Sequence, residues 1–146
     1  MNEIVEVAKG RKLRIRFAKP GDQSYVARTF VASVAEAHKL DTQAVRALNA
    51  QVDRLFDDPV TRILVAVEPA DDKRIVGFIV FARRTLLYVA VRNTDRCEGV
   101  ATALVHAAGL GVNGSPVLYV FEGPSALWAL AKRPDAVRVS LEEHLS

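Results

Sequence analysis

The chain contains a single cysteine, Cys97, among 146 residues. No intrachain disulfide can form, and this usage fits a reducing compartment. Aromatic residues are few, at 7%, and are not interleaved with basic ones, which argues against a stacking platform for single-stranded nucleic acid. No apolar run approaches the roughly 20 residues that a bilayer-spanning helix needs. The segment Met1 to Arg16 scatters Glu3, Glu6, Lys9, Arg11, Lys12, Arg14 and Arg16 among its apolar residues and lacks the unbroken apolar stretch of a secretory leader. The expectation is a soluble, cytoplasmic protein with no membrane association. The histidines His38, His106 and His144 show no i, i+4 pairing and no acidic partner at ligand spacing, so no metal is expected. No repeat and no low-complexity segment is present.

Half of the residues are apolar and 25% are charged, a globular composition, and the length suits one domain over residues 1–146. The formal net charge of +3 is compatible with a phosphate-bearing ligand or with nucleic acid and demands neither. The run Lys9-Gly10-Arg11-Lys12 permits a nucleic-acid reading but is more often a solvated arm, so nucleic acid is not the expected partner.

Strands and helices alternate along the chain. Leu13, Ile15 and Phe17 alternate with Arg14 and Arg16 as a first strand. Pro20-Gly21-Asp22 ends it, with Asp22 as a plausible helix N-cap. Val26, Phe30, Val34 and Ala37 then recur at helical spacing. A second helix starts at Asp41-Thr42 and stops at Asp57-Asp58-Pro59. Ile63 to Val67, Ile75 to Ala82 and Thr85 to Val91 are β-branched, nearly all-apolar runs suited to the middle of a sheet, with a turn at Pro69 to Lys73. After the loop Arg92 to Glu98, Val100, Ala103, Leu104, Ala107 and Ala108 mark the buried face of a helix, and His106 inside that helix reads as structural. A strand at Val117 to Phe121, a helix from Gly123-Pro124 to before Pro134, and a strand through Val137, Val139 and Leu141 complete the order β-α-α-β-β-β-α-β-α-β. Three consecutive strands in the middle predict an α/β (α+β) fold with a mixed central sheet.

The stretch from Tyr88 to Thr102 carries the chemistry. A strand, a loop and then a glycine opening an amphipathic helix make an anion site, because the first helical N–H groups lack internal partners and the helix dipole adds positive potential. Gly99 and Ala101 have little or no side chain, so a phosphate could approach the backbone. Within it, Arg96-x-x-Gly99-x-Ala101 resembles the Q/R-x-x-G-x-G/A signature of the GNAT (Gcn5-related N-acetyltransferase) superfamily, at the same junction. The element order from Leu13 to Leu141 is similar to the GNAT order as well.

This resemblance implies a GNAT-like sheet and acetyl-CoA or coenzyme A as the bound cofactor. The pyrophosphate would lie on the backbone N–H groups of Cys97, Glu98, Gly99, Val100, Ala101 and Thr102, after Arg96. The pantetheine arm would lie along Val89, Ala90 and Val91, in a gap where this strand splays from Val117 to Phe121. Ser125 stands where the family often has a cofactor-contacting Asn. Cys97 and Glu98 depart from the usual Gly, Lys or Arg, and Glu98 reads as a solvated first-turn carboxylate.

Two familiar catalytic side chains are missing. No Asp or Glu occurs from Ile75 to Thr94, and Thr85 stands about where the family places its base. Trp128 or Leu130 occupies the place of the tyrosine acid. Glu122 is the best remaining base, with helix N-terminal capping as its bland alternative. Tyr88 is a candidate proton relay that strand alternation could equally bury. The leading expectation is an acyl-CoA-dependent N-acyltransferase, acting on an amine of unknown identity bound over Tyr25 to Phe56. The alternative is a catalytically degenerate module that binds CoA or a protein. The reduced C-terminal hairpin leaves a strand edge open to a second copy, so a homodimer is a further expectation.

Overall fold

The computed structural model describes residues 2–92, 95 and 99–110, and the backbone of 118–119 and 137–138. The elements are β1 (Asn2–Glu6), a tight turn at Ala8–Gly10, β2 (Lys12–Phe17), α1 (Pro20–Ala37), α2 (Thr42–Asp57), β3 (Thr61–Glu68), β4 (Asp71–Ala82), β5 (Thr85–Val91), α3 (Val100–Ala107), β6 (Leu118–Tyr119) and β7 (Val137–Arg138). The strands form one sheet in sequential order, β1 to β7. Strands β1 to β5 make an antiparallel meander; β6 runs parallel to β5 and β7 parallel to β6. The mixed sheet expected from three consecutive central strands is therefore present. Among the described residues no helix is long and apolar enough to cross a membrane.

The period-2 alternation of the central strands feeds two apolar layers. Leu64, Ala66, Val76 and Ile79 turn to one face and meet Val100, Ala101, Leu104 and Val105 of α3. Val65, Val67, Phe78 and Val80 turn to the other and meet Val26, Phe30 and Val34 of α1 and Leu48, Val52 and Leu55 of α2. Each fully buried Leu, Ile, Val or Phe contributes about 1.5–3 kcal/mol of transfer free energy, so the two layers are the main source of stability.

Several expectations need correction. Strand β1 was not foreseen, because Ile4 and Val5 are adjacent rather than alternating; it forms by pairing with β2 from Asn2↔Arg16 to Glu6↔Lys12. Asp22 is not the N-cap of α1. The helix starts at Pro20, whose fixed φ and missing N–H suit a first helical position, and Asp22 sits one turn in, its Oδ2 accepting the Lys19 N–H at 2.7 Å. Asp71 to Lys73 belong to β4 rather than to a turn. Helix α2 begins and ends where expected, with Asp41 as a true N-cap, its Oδ1 accepting the Ala44 N–H at 2.8 Å. His106 lies inside α3 as expected, exposed in its last turn. The expected helix from Gly123 lies outside the described residues.

Candidate functional site

Strand β5 changes face once. Phe81 pairs with Leu86 and Val80 with Tyr88, so Leu87 is an extra residue, a β-bulge. Leu86 turns to the α3 layer, Leu87 and Tyr88 both turn to the α1–α2 layer, and Val89 returns to α3. Beyond the bulge, Val89 and Val91 are buried under α3, while Ala90 is half-buried on the α1–α2 side. Tyr88 is 3% exposed, and its ring stacks on Phe30 with centroids 4.6 Å apart. The burial foreseen as the alternative to a proton relay is thus where Tyr88 lies. On its other edge, β5 pairs with β6 at Thr85↔Leu118 and Leu86↔Tyr119, ahead of the bulge. Thr85 itself is buried and uncharged.

The chain leaves β5 through Arg92, whose N–H donates to the Val76 carbonyl at 2.9 Å. Asp95 follows, 5% exposed, with its N–H bonded to the Arg92 carbonyl at 2.9 Å. Its Oδ2 accepts from Arg92 Nε at 3.0 Å, and its Oδ1 accepts from Arg11. Arg92 Nη2 lies 3.0 Å from the same Oδ2 but is not aligned for a hydrogen bond. Gly99 then takes φ +83° as the N-cap of α3, a left-handed conformation that an L side chain adopts only with strain. The first intrahelical bond runs from the Ala103 N–H to the Gly99 carbonyl at 3.0 Å. The N–H groups of Val100, Ala101 and Thr102 precede it and have no partner within the helix. Val100 and Ala101 turn their side chains into the α3 layer, and Thr102 is exposed. The small size of Ala101 therefore serves core packing as well as any approach to the backbone. Arg96, Cys97, Glu98, Glu122 and Ser125 lie outside the described residues.

No protein-family model and no curated protein sequence matches the chain. Solved structures do. A possible acetyltransferase from Clostridium difficile 630 is 17% identical, with 86% of this chain and 76% of that one covered and a TM-score of 0.50. Apo-form YjaB from Escherichia coli is 23% identical, over 66% of this chain and 63% of that one, also at 0.50. The GNAT domain of S. lividans PAT is 15% identical, over 74% and 69%, at 0.49. The chain has the GNAT fold.

On the α1–α2 side of this GNAT sheet lies a cleft of about 740 Å³, lined by Arg16, Asp22, Tyr25, Asp72, Arg74 and Arg92 among others. The alternation of β2 would leave Arg16 on an open face; instead it is 5% exposed while Phe17 is 40% exposed. The cause is a set of carboxylates brought from distant elements. Arg16 Nε donates to Asp72 Oδ1 at 2.8 Å and Nη1 to Asp22 Oδ2 at 2.7 Å. The carbonyls of Phe17 and Asp72 accept from Nη1 and Nη2, each at 3.0 Å. Lys19 Nζ reaches Asp72 Oδ2 at 2.7 Å.

Electrostatics follow from these contacts. The Lys19 and Arg16 hydrogen bonds pull the Asp72 carboxyl down to about 2. Burial pushes Asp22 up, but the Arg16 hydrogen bond, the Lys19 N–H and the Arg16 charge together hold it below the usual carboxylate range. Burial likewise lowers Arg16, and the two carboxylates outweigh it. This cluster was missed in the sequence, where Asp22 and Asp72 stand 6 and 56 positions from Arg16. Among the described residues no group of three His, Cys, Asp or Glu side chains stands together as a metal site.

Proposed function

We propose that the chain is an N-acyltransferase that moves an acyl group, acetyl in the simplest case, from coenzyme A to an amine. The observation that carries this reading is the left-handed Gly99 at φ +83°, the N-cap that opens α3 after β5 and its following loop. Backbone N–H groups and helix dipole converge there on a point where a diphosphate can sit. The amine would enter from the α1–α2 side, where the Arg16 cleft opens beside Tyr25. In the reaction the amine nitrogen attacks the thioester carbonyl, the C–N bond forms and the C–S bond breaks. The amine proton passes to water or to Glu122, and the departing thiolate takes a proton from solvent. With Thr85 uncharged and buried, rate acceleration rests on holding donor and acceptor together.

The same Thr85 favours a second reading, a GNAT-shaped module that binds coenzyme A without turnover.

Isothermal titration with acetyl-CoA and coenzyme A, repeated on Gly99→Glu, tests the binding step. Micromolar binding by the wild type, lost in a variant that still melts cooperatively, supports the donor site. Absence of wild-type binding overturns both readings. Acetyl transfer to any member of an amine panel then separates enzyme from module.

A further inference from the structure

The cleft beside Tyr25 is cationic on balance. Among the described residues that line it, Arg16, Lys19, Lys73, Arg74 and Arg92 stand against two carboxylates, Asp22 and Asp72. Both carboxylates are already engaged. Asp22 Oδ2 accepts from Arg16 Nη1 and from the Lys19 N–H, each at 2.7 Å. Asp72 Oδ1 accepts from Arg16 Nε at 2.8 Å, and its Oδ2 from Lys19 Nζ at 2.7 Å. Arg16, Lys19, Asp22 and Asp72 thus form a neutral group. Arg92 is matched by the buried Asp95. Lys73 and Arg74, near the start of β4, are different: both are exposed, and neither pairs with a carboxylate among the described residues. Ile75 and the half-buried ring of Tyr25, edge-on to Phe78 at 6.4 Å, give the same cleft an apolar side. At about 740 Å³ it has the size of a small-molecule site.

We propose that the acceptor is a small amine that also carries an acid group, a carboxylate or a phosphate, and that Lys73 and Arg74 bind this group in the cleft. The amine rests on the acyl-transfer reading above; the preference for an acid rests on the cleft alone. A polyamine brings only positive charge and needs a free carboxylate to hold it. Asp22 and Asp72 are both held by cations, so a polyamine meets net repulsion. An acid group meets two open cations, and the arginine fork can hold it through two parallel N–H bonds. The excess positive charge serves the chemistry as well. Like charge disfavours an ammonium, so an amine entering here is shifted toward its neutral, nucleophilic form. That suits a chain with no Asp or Glu between Ile75 and Thr94 to act as base.

Isothermal titration at low salt with L-glutamate, O-phosphoethanolamine and 1,4-diaminobutane tests the preference. One of the two acids is expected to bind roughly tenfold more tightly than the diamine, and which one does so tells carboxylate from phosphate. The double variant Lys73→Gln, Arg74→Gln should weaken that acid about fivefold, the scale of two solvent-facing charge contacts, and keep a wild-type melt. Lys9→Gln with Lys12→Gln removes the same charge from exposed positions outside the cleft and should leave the affinity unchanged. Equal or tighter binding of the diamine overturns the proposal, as does failure of both acids to bind. An equal loss in the Lys9 and Lys12 control also overturns it, since net charge alone would then account for binding. Should the double variant fail to fold, Arg74→Gln alone is read in the same way. Acetyl-CoA is titrated in parallel. A wild type that binds an acid but not acetyl-CoA sinks the donor-site reading and leaves the cleft standing; the reverse result overturns only the proposal made for the cleft.

Discussion

The rings of Phe30 in α1 and Tyr88 in β5 lie face to face, 4.6 Å between centroids and 19° between planes. The contact exists because Leu87 is an extra residue in β5, which keeps Tyr88 on the same face as its neighbour. Phe78 and Tyr25 extend the aromatic group, with Phe78 6.2 Å from Tyr88 and 6.4 Å from Tyr25. Tyr88→Ala should therefore cost about 3 to 5 kcal/mol, the range for truncating a buried aromatic. Tyr88→Phe keeps the stack and should melt far closer to the wild type. Denaturant unfolding of the two variants checks this, and equal losses would refute the packing account.

Two glycines should respond to alanine with opposite signs. A side chain on Gly77 would begin 2.8 Å from the Ala90 carbonyl oxygen, a backbone atom that cannot step aside cheaply. Gly77→Ala should destabilise by about 2 kcal/mol through overpacking between β4 and β5. Gly21, in the first turn of α1, has nothing within 4 Å of that point. Gly21→Ala should stabilise by roughly 0.5 to 1 kcal/mol by restricting the unfolded chain. Thermal melts of both variants test the contrast.

Acid should unfold the protein partly through the Arg16 cluster. Asp72, at about 2, and Asp22 are both more acidic folded than their ordinary value of 3.8. The stability they contribute is present above pH 4 and is lost as pH falls toward 2. Asp72→Asn should flatten the melting temperature between pH 4 and 2 relative to the wild type. A slope unchanged by the substitution would remove the cluster from the account.

Helix α2 depends on its cap. Asp41→Ala leaves the Ala44 N–H without its 2.8 Å acceptor and should cost about 1 kcal/mol, whereas Asp41→Ser or Asp41→Asn should retain most of it. Urea unfolding of the three variants gives the comparison.

The capping signal at Asp41, the breaker at Asp57-Asp58-Pro59 and the apolar runs of β3, β4 and β5 are local, so the sequence carries them openly. Thr85–Val91 is bounded as the pattern predicts. The pattern does not reveal the bulge within it, because a run apolar on both faces reads the same with or without an extra residue. Gly99 was legible as the start of α3. Its left-handed φ and its closeness to Ala8 were not.

By itself, then, the sequence determined the order of elements from Leu13 to Tyr119, the mixed sheet and the glycine at the head of α3. Periodicity, capping and turn chemistry act over a few neighbouring residues and need no partner from elsewhere. Only the tertiary structure decided that Arg16 is buried between Asp22 and Asp72, that Tyr88 stacks on Phe30, and that Arg11 reaches Asp95 across 84 positions. These contacts depend on which charges and rings meet once the sheet is assembled, and the strength of a charge pair or an aromatic stack depends on the distance and burial that assembly imposes.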